Sequence, residues 1–276
     1  MTASVHSFDD AIALSRDELG NFHGRTTPAY RNMIGPFGGI TAAVLLNAVL
    51  QHPERLGEPT ALTVNYAGAV PDGPFRIVAK PVRTNRSSQH WIVEQWVLED
   101  GQECIATTAT VLTTARKATW AGSDIPAPLT GGPAAGITPL RFAGVPPWFE
   151  QFDMIPLTGA IPSQWDGQEH SDSTSRLWVR HAAPRALDYC SLTAACDVFY
   201  PRIWLKRALR VPAGTVSMTI YFHANQAMLD STGTGYLLAQ AKGQEFRDNY
   251  ADQSGQIWSQ DGSVLATTHQ LAYFKE

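Results

Sequence analysis

The chain has 276 residues, of which 44% are hydrophobic and 17% charged, and its formal net charge is −4. This composition supplies a large core and excludes a disordered or fibrous chain. It also leaves no electrostatic footprint for nucleic acid, since the densest cationic stretch is the mixed Arg202 to Arg210 segment, which reads as an exposed helix face.

The opening MTASVHSFDDAIALSRDEL is interrupted by Asp9 and Asp10 and does not read as a signal peptide. No later run is apolar for long enough to cross a membrane. Cys104, Cys190 and Cys196 form no zinc-type spacing, so reduced thiols and a cytoplasmic setting are expected. Gly38 and Gly39 open the run Ile40 to Leu50, uniformly apolar and rich in Ala and Leu, which predicts a helix buried on most sides. Pro53 and Gly57 end it. Strands are expected over Ala61 to Ala67, Phe75 to Arg83, His90 to Leu98 and Glu103 to Thr113, with turns at Asp72-Gly73 and Asp100-Gly101. From Arg116 to about Ala160 Gly and Pro crowd together with little periodicity, as in a surface connector. Within it, Trp148 to Ile155 reads as an opening strand. The order then repeats: a strand over Arg176 to His181 and a helix over Ala186 to Phe199, ended by Pro201. Four strands follow over Thr215 to His223, Gly235 to Phe246, Tyr250 to Ser259 and Val264 to Phe274.

The repetition extends to the residues themselves. Asp100-Gly101 leads into Ala106-Thr107-Thr108-Ala109-Thr110, and Asp261-Gly262, 161 residues later, leads into Ala266-Thr267-Thr268-His269-Gln270. Leu62-Thr63-Val64-Asn65-Tyr66 matches Met218-Thr219-Ile220-Tyr221-Phe222, 156 residues on. One structural unit written twice makes every polar residue present in only one copy a candidate for function. Gln270, aligned with Thr110, is the first. One long helix followed by about four antiparallel strands, twice, predicts an α+β fold with each helix wrapped by a curved sheet and the two sheets joined edge to edge. This is the hotdog order, doubled: an N-terminal unit at 1–115, a connector at 116–147 and a C-terminal unit at 148–276.

Several segments in this order resemble the acyl-CoA thioesterase II family, the double-hotdog thioesterases. Gly20-Asn21-Phe22-His23-Gly24 is similar to that family's opening strand, Phe37-Gly38-Gly39 to the entry of its first helix, and Leu177-Trp178-Val179-Arg180 to the strand that begins its second unit. The resemblance implies hydrolysis of acyl-CoA by a water held between an Asp, a Thr and a Gln. The matching positions are Asp197 near the end of the second helix, Thr215 opening the next strand, and Gln270 on the last strand. Thr219 is a rival for the Thr role. Thioester hydrolysis also needs donors for a developing oxyanion, and Gly38 and Gly39 at a helix N-terminus are candidates. No metal or other cofactor is expected.

Each residue has a plainer reading: Asp197 as a cap or solvated charge, Thr215 and Gln270 as ordinary strand residues, His223 as a satisfied histidine. His269 is expected on the strand face opposite Gln270. Trp148, Trp165 and Trp178 fit an acyl tunnel or simple packing, and Lys80, Arg83 and Arg86 fit coenzyme A phosphates or a solvated face. A hotdog hydratase would need a His after Asp188, and none follows; a serine hydrolase would need a Gly-x-Ser-x-Gly elbow, and none is present. A non-catalytic acyl-CoA or lipid binder remains the alternative from another class. The expected partner is an acyl-CoA, with no nucleic acid and no membrane, and the expected assembly is a homodimer or higher homo-oligomer.

Overall fold

The computed structural model describes residues 5–141 and 144–276. Residues 1–4, part of the stretch read for a leader, and connector residues 142 and 143 lie outside the described residues. In chain order the first half contains α1 (Ser7–Ala11), β1 (Ser15–Arg16), β2 (Phe22–Arg25), α2 (Gly38–Leu50), β3 (Glu58–Tyr66), β4 (Pro74–Thr84), β5 (Ser88–Glu99) and β6 (Gln102–Thr114). The second contains β7 (Phe152–Thr158), β8 (Ser175–His181), α3 (Tyr189–Ala195), α4 (Arg202–Arg207), β9 (Ala213–Phe222), α5 (Gln226–Thr232), β10 (Leu237–Arg247), β11 (Tyr250–Trp258) and β12 (Val264–Phe274). The strands form one sheet in the order β1-β2-β4-β5-β6-β3-β9-β12-β11-β10-β8-β7, with every named pairing antiparallel.

The halves join where β3 pairs β9, and the register there shows how the duplication was used. Thr63 sits opposite Thr219, Leu62 opposite Ile220 and Val64 opposite Met218. Thr63 and Thr219 are also the same position of the two copies, 156 residues apart. A pseudo-two-fold axis therefore passes between them, and their hydroxyls bond across it at 3.0 Å. Each strand carries a bulge at the equivalent place: Thr60 is skipped in the β3–β6 ladder and Val216 in the β9–β12 ladder. By sheet register, then, Gln270, opposite Met218, corresponds to Val111, opposite Leu62. The alignment of Gln270 with Thr110 is thereby corrected by one residue, and the correction matters because one step along a strand exchanges its faces. Val111 faces the core while Thr110 is exposed.

The strand segments lie close to where alternation put them, because Met218, Ile220 and Phe222 are buried while Tyr221 between them is exposed. Helix α2 starts at the glycines and is buried along nearly all of its length. The second helix departs most from expectation, with α3 ending at Ala195 rather than reaching Phe199. Asp188 fixes its start by accepting the Ser191 N–H at 2.7 Å. Its end precedes Pro201, which disfavours helical geometry at Tyr200, and the apolar run Val198-Phe199-Tyr200 continues as buried coil. The expected strand at Trp148 begins instead with a 3-10 turn over Pro147–Gln151. Helix α5, which the sequence pattern did not predict, is capped by Asn225 onto the Met228 N–H at 3.0 Å. The segment between β6 and β7 is tied to the second half: Trp258 Nε1 donates to the Ile125 carbonyl at 3.1 Å, and the Gly131 N–H to the Gln260 carbonyl at 2.8 Å. Among the described residues no helix is long and apolar enough to cross a membrane.

Candidate active site

The N-terminus of α2 meets the C-terminal end of α3, and the site is built on that junction. The first N–H groups of a helix lack partners within it and attract negative charge. Phe37, the N-cap of α2, has no side chain to satisfy them, and the first turn carries no acid. The Asp197 carboxylate, two residues beyond α3 and from the other half of the chain, takes that place by accepting the Gly39 N–H. The fit is close enough to demand glycine. A Cβ on Gly38 would lie 2.7 Å from Asp197 Oδ2, and one on Gly39 would lie 2.5 Å from the Phe37 ring and 2.8 Å from the Ala194 carbonyl oxygen.

Gln270 on β12 completes the grip on Asp197. Its Nε2 donates to Asp197 Oδ1 at 2.8 Å and approaches the Cys196 carbonyl at 3.3 Å and Met218 Sδ at 3.1 Å. Its Oε1 accepts from Gln253 Nε2 of β11 at 2.8 Å. Tyr66 closes the other side, donating its hydroxyl to the Gly38 carbonyl at 2.9 Å. Burial pushes the Asp197 carboxyl from 3.8 up to about 7, against the hydrogen bonds from Gln270 and Gly39 that favour its charged form. Burial, reinforced by the Asp197 charge, likewise holds the Tyr66 phenol well above its ordinary value. A carboxylate balanced near neutrality is equipped to accept a proton and to return it.

These groups open into a cavity of about 990 Å³. Asp197, Thr215, Gln270, Gln253, Tyr66 and Gly38 share its wall, and aromatic side chains supply much of the rest, including Trp148 stacked on Phe37 with ring centroids 4.2 Å apart. Thr215 reaches this wall because of the bulge. Counting by twos from the buried Met218 would put Thr215 on the outer face, but the extra residue Val216 returns it to the inner one. Thr219 has no such correction and spends its hydroxyl on Thr63 across the outer junction. Gly39 differs from Gly38 in giving its N–H to Asp197 and in standing behind the cavity wall.

The other candidates separate from this centre. His269 points out of the sheet to Asp252 at 3.0 Å, and His223 bonds the Thr267 hydroxyl at 3.1 Å. Trp165 lines the cavity, whereas Trp178 packs with Ile155, Tyr236, Leu238 and Trp258 in a separate cluster. Lys80, Arg83 and Arg86 are exposed and away from the cavity wall. His181, the buried histidine near the start of α3, bonds Ser191 Oγ at 3.0 Å. It borders a separate space of about 20 Å³, and burial together with nearby Arg185 holds its pKa down at about 3. Among the described residues no group of three or more His, Cys, Asp or Glu is gathered for a metal ion.

Sequence reasoning missed Tyr66 and Gln253. The duplication contained a signal for Gln253: it pairs with Gln270, while the corresponding pair in the first half is Trp91 with Val111, both buried and hydrophobic. Thr215 corresponds to Pro59 by the same 156-residue offset. Among the described residues Gln270, Gln253 and Thr215 thus have the apolar counterparts Val111, Trp91 and Pro59 in the first half.

Sequence and structure comparisons agree with this architecture. A family model described as the acyl-CoA thioesterase C-terminal domain matches residues 124–274, and one described as the N-terminal domain matches residues 27–113. Among solved structures, a conserved protein of unknown function with a hot dog fold from Alicyclobacillus acidocaldarius is 42% identical, with 99% of both chains covered and a TM-score of 0.90. An acyl-CoA thioesterase II from Mycobacterium marinum is 16% identical over 98% of this chain and 97% of its own, with a TM-score of 0.70. The fold is shared more widely: a dehydratase domain from Pseudomonas fluorescens is 11% identical over 96% of this chain and 97% of its own, with a TM-score of 0.54. No curated protein sequence matches the chain. With a tandem pair of hotdog units in one continuous sheet and both domain models matched in order, the chain belongs to the acyl-CoA thioesterase family.

Proposed function

We propose that the protein hydrolyses acyl-CoA thioesters to a free acid and coenzyme A, with Asp197 as the base that activates water. A water between Asp197 and the Thr215 hydroxyl gives its proton to the carboxylate as its oxygen attacks the thioester carbonyl carbon. The carbonyl π electrons move onto oxygen, for which the proposed donor is the N–H of Gly38, a residue of the cavity wall at the positive end of α2. Collapse of that intermediate re-forms the carbonyl and breaks the C–S bond. The proton held by Asp197 then passes to the departing thiolate, leaving acid and thiol. In this scheme Gln270 acts by holding Asp197, because its amide hydrogens are directed to the carboxylate and to the Cys196 carbonyl. The Gly39 N–H acts in the same way.

The observation that carries this reading is the carboxylate of Asp197, pressed onto a glycine helix start in a large aromatic-walled cavity and balanced near pKa 7. We also propose a cytosolic setting and a homodimer or larger assembly for the protein. A monomer mass by light scattering would contradict the latter. The test of the chemistry is thiol release from a panel of acyl-CoAs of varied length and branching, by wild type and by Asp197→Ala. Release by wild type alone is expected. Binding without release at every chain length would make the protein an acyl-CoA binder, and equal release by both proteins would remove Asp197 from the mechanism.

A further inference from the structure

We infer that Gln253 is a positioning residue for the proposed thioesterase reaction, setting the direction in which the Gln270 carboxamide faces and thereby holding the Asp197 base. The inference rests on that reading of the site and adds a residue to it.

A carboxamide has a donor end and an acceptor end, and its surroundings must choose between them. Around Gln270 the choice is unambiguous on one side. Asp197 Oδ1 at 2.8 Å and the Cys196 carbonyl oxygen at 3.3 Å are both acceptors, so the Nε2 end must face them. If the amide turned over, Oε1 would meet two oxygens, one of them on a carboxylate. On the other side Gln253 Nε2 donates to Gln270 Oε1 at 2.8 Å, which satisfies the acceptor end in the productive orientation and stabilises it. Gln253 is only 6% exposed and Gln270 5%, so water competes poorly for either amide. The two residues are direct cross-strand partners on β11 and β12, and this fixes their separation through the backbone ladder.

Duplication provides the internal contrast. The corresponding pair, Trp91 and Val111, fills the same strand positions with apolar side chains. The sheet therefore has no structural requirement for two glutamines there. They occur together in the half that carries Asp197.

The ionisable groups that sense the Asp197 charge are Tyr66 from β3 and Cys196 beside it, and burial keeps both protonated. The remaining ionisable side chains of the cavity wall are Tyr200, whose phenol burial pushes up to about 12, Arg202 and Arg210. Loss of the Gln270 hydrogen bond removes an interaction that favours the charged carboxylate, so the Asp197 pKa must rise.

The experiment is the pH dependence of kcat/KM for Gln253→Leu, with Gln270→Leu and the double variant alongside, on one acyl-CoA that wild type hydrolyses. Gln253→Leu is expected to move the acid limb upward by about half to one pH unit. It should lower kcat/KM on the acid side by about three- to tenfold and leave KM near wild type. In the Gln270→Leu background the second substitution should change nothing further. Should Gln253→Leu not fold, Gln253→Met carries the same expectation. A profile superimposed on wild type, or an undiminished effect in the Gln270→Leu background, would overturn the inference. In either case activity abolished by Asp197→Ala would leave the thioesterase reading standing, whereas an inactive wild type would remove that reading itself.

Discussion

Replacing Asp197 by asparagine should abolish hydrolysis and, above neutral pH, make the fold more stable. The carboxyl is held at about 7 in the folded chain against 3.8 when unperturbed. Between those values the native state retains a proton that the unfolded state has released, so stability falls as pH rises and the full penalty is present above pH 7. About three pH units at ~1.4 kcal/mol each set a ceiling of about 4 kcal/mol at pH 8, and about half of it is expected at the effective dielectric of a protein site. At pH 5 the same arithmetic leaves a ceiling of about 1.6 kcal/mol, and near pH 4 the penalty disappears. The asparagine side chain removes the charge and keeps one oxygen to accept from Gln270 Nε2. Urea unfolding of both proteins at pH 5 and pH 8 is the assay. Asp197→Asn should be more stable at both, with an advantage about 1 to 3 kcal/mol larger at pH 8. An advantage independent of pH, or a variant less stable at pH 8, would refute the argument that burial strains this carboxylate.

Gly38→Ala places a methyl 2.7 Å from Asp197 Oδ2, so kcat should fall by about tenfold or more with a modest change in Tm. Gly39→Ala drives a methyl into the Phe37 ring and the Ala194 carbonyl oxygen, and urea unfolding should show a loss of about 1–3 kcal/mol. Thr215→Val keeps shape and removes the hydroxyl, so kcat should fall by about tenfold while Tm holds; Thr219→Val should leave kcat unchanged. Arg202 is buried and donates to the Tyr200, Ser173 and Ala241 carbonyls and to Ser175 Oγ. Arg202→Met strands those acceptors, and the denaturant midpoint should drop by an amount equivalent to about 2–4 kcal/mol.

The fold was readable in the sequence because both of its signals are local. Alternation of Met218, Ile220 and Phe222 with exposed neighbours marks a strand, and an uninterrupted apolar run from Ile40 marks a buried helix. The near-repeat at Thr63 and Thr219 marked the duplication, although nothing in the chain's text said that these two residues would face each other. What escaped depended on register and on long-range packing. Aligning Gln270 with Thr110 follows the Thr-rich text, whereas the ladder aligns it with Val111, because the two turns differ in length. Thr215 reaches the inner wall through a bulge that alternation alone does not reveal. Tyr66 and Gln253 ended strands or sat within them like any amphipathic residue, and their importance arises only where they meet Gly38 and Gln270. Cys196 and Asp197 read as the continuation of a helix that stops at Ala195.

The most direct measurement is a single turnover in water enriched in ¹⁸O, with enzyme in excess over acyl-CoA, followed by mass analysis of the released acid and of the peptide containing Asp197. If Asp197 takes a proton from an incoming water and makes no bond to the substrate, one heavy oxygen appears in the acid and none in the peptide. Heavy oxygen on the Asp197 carboxyl would mean that the side chain itself attacked the thioester, and the account of an activated water would be wrong.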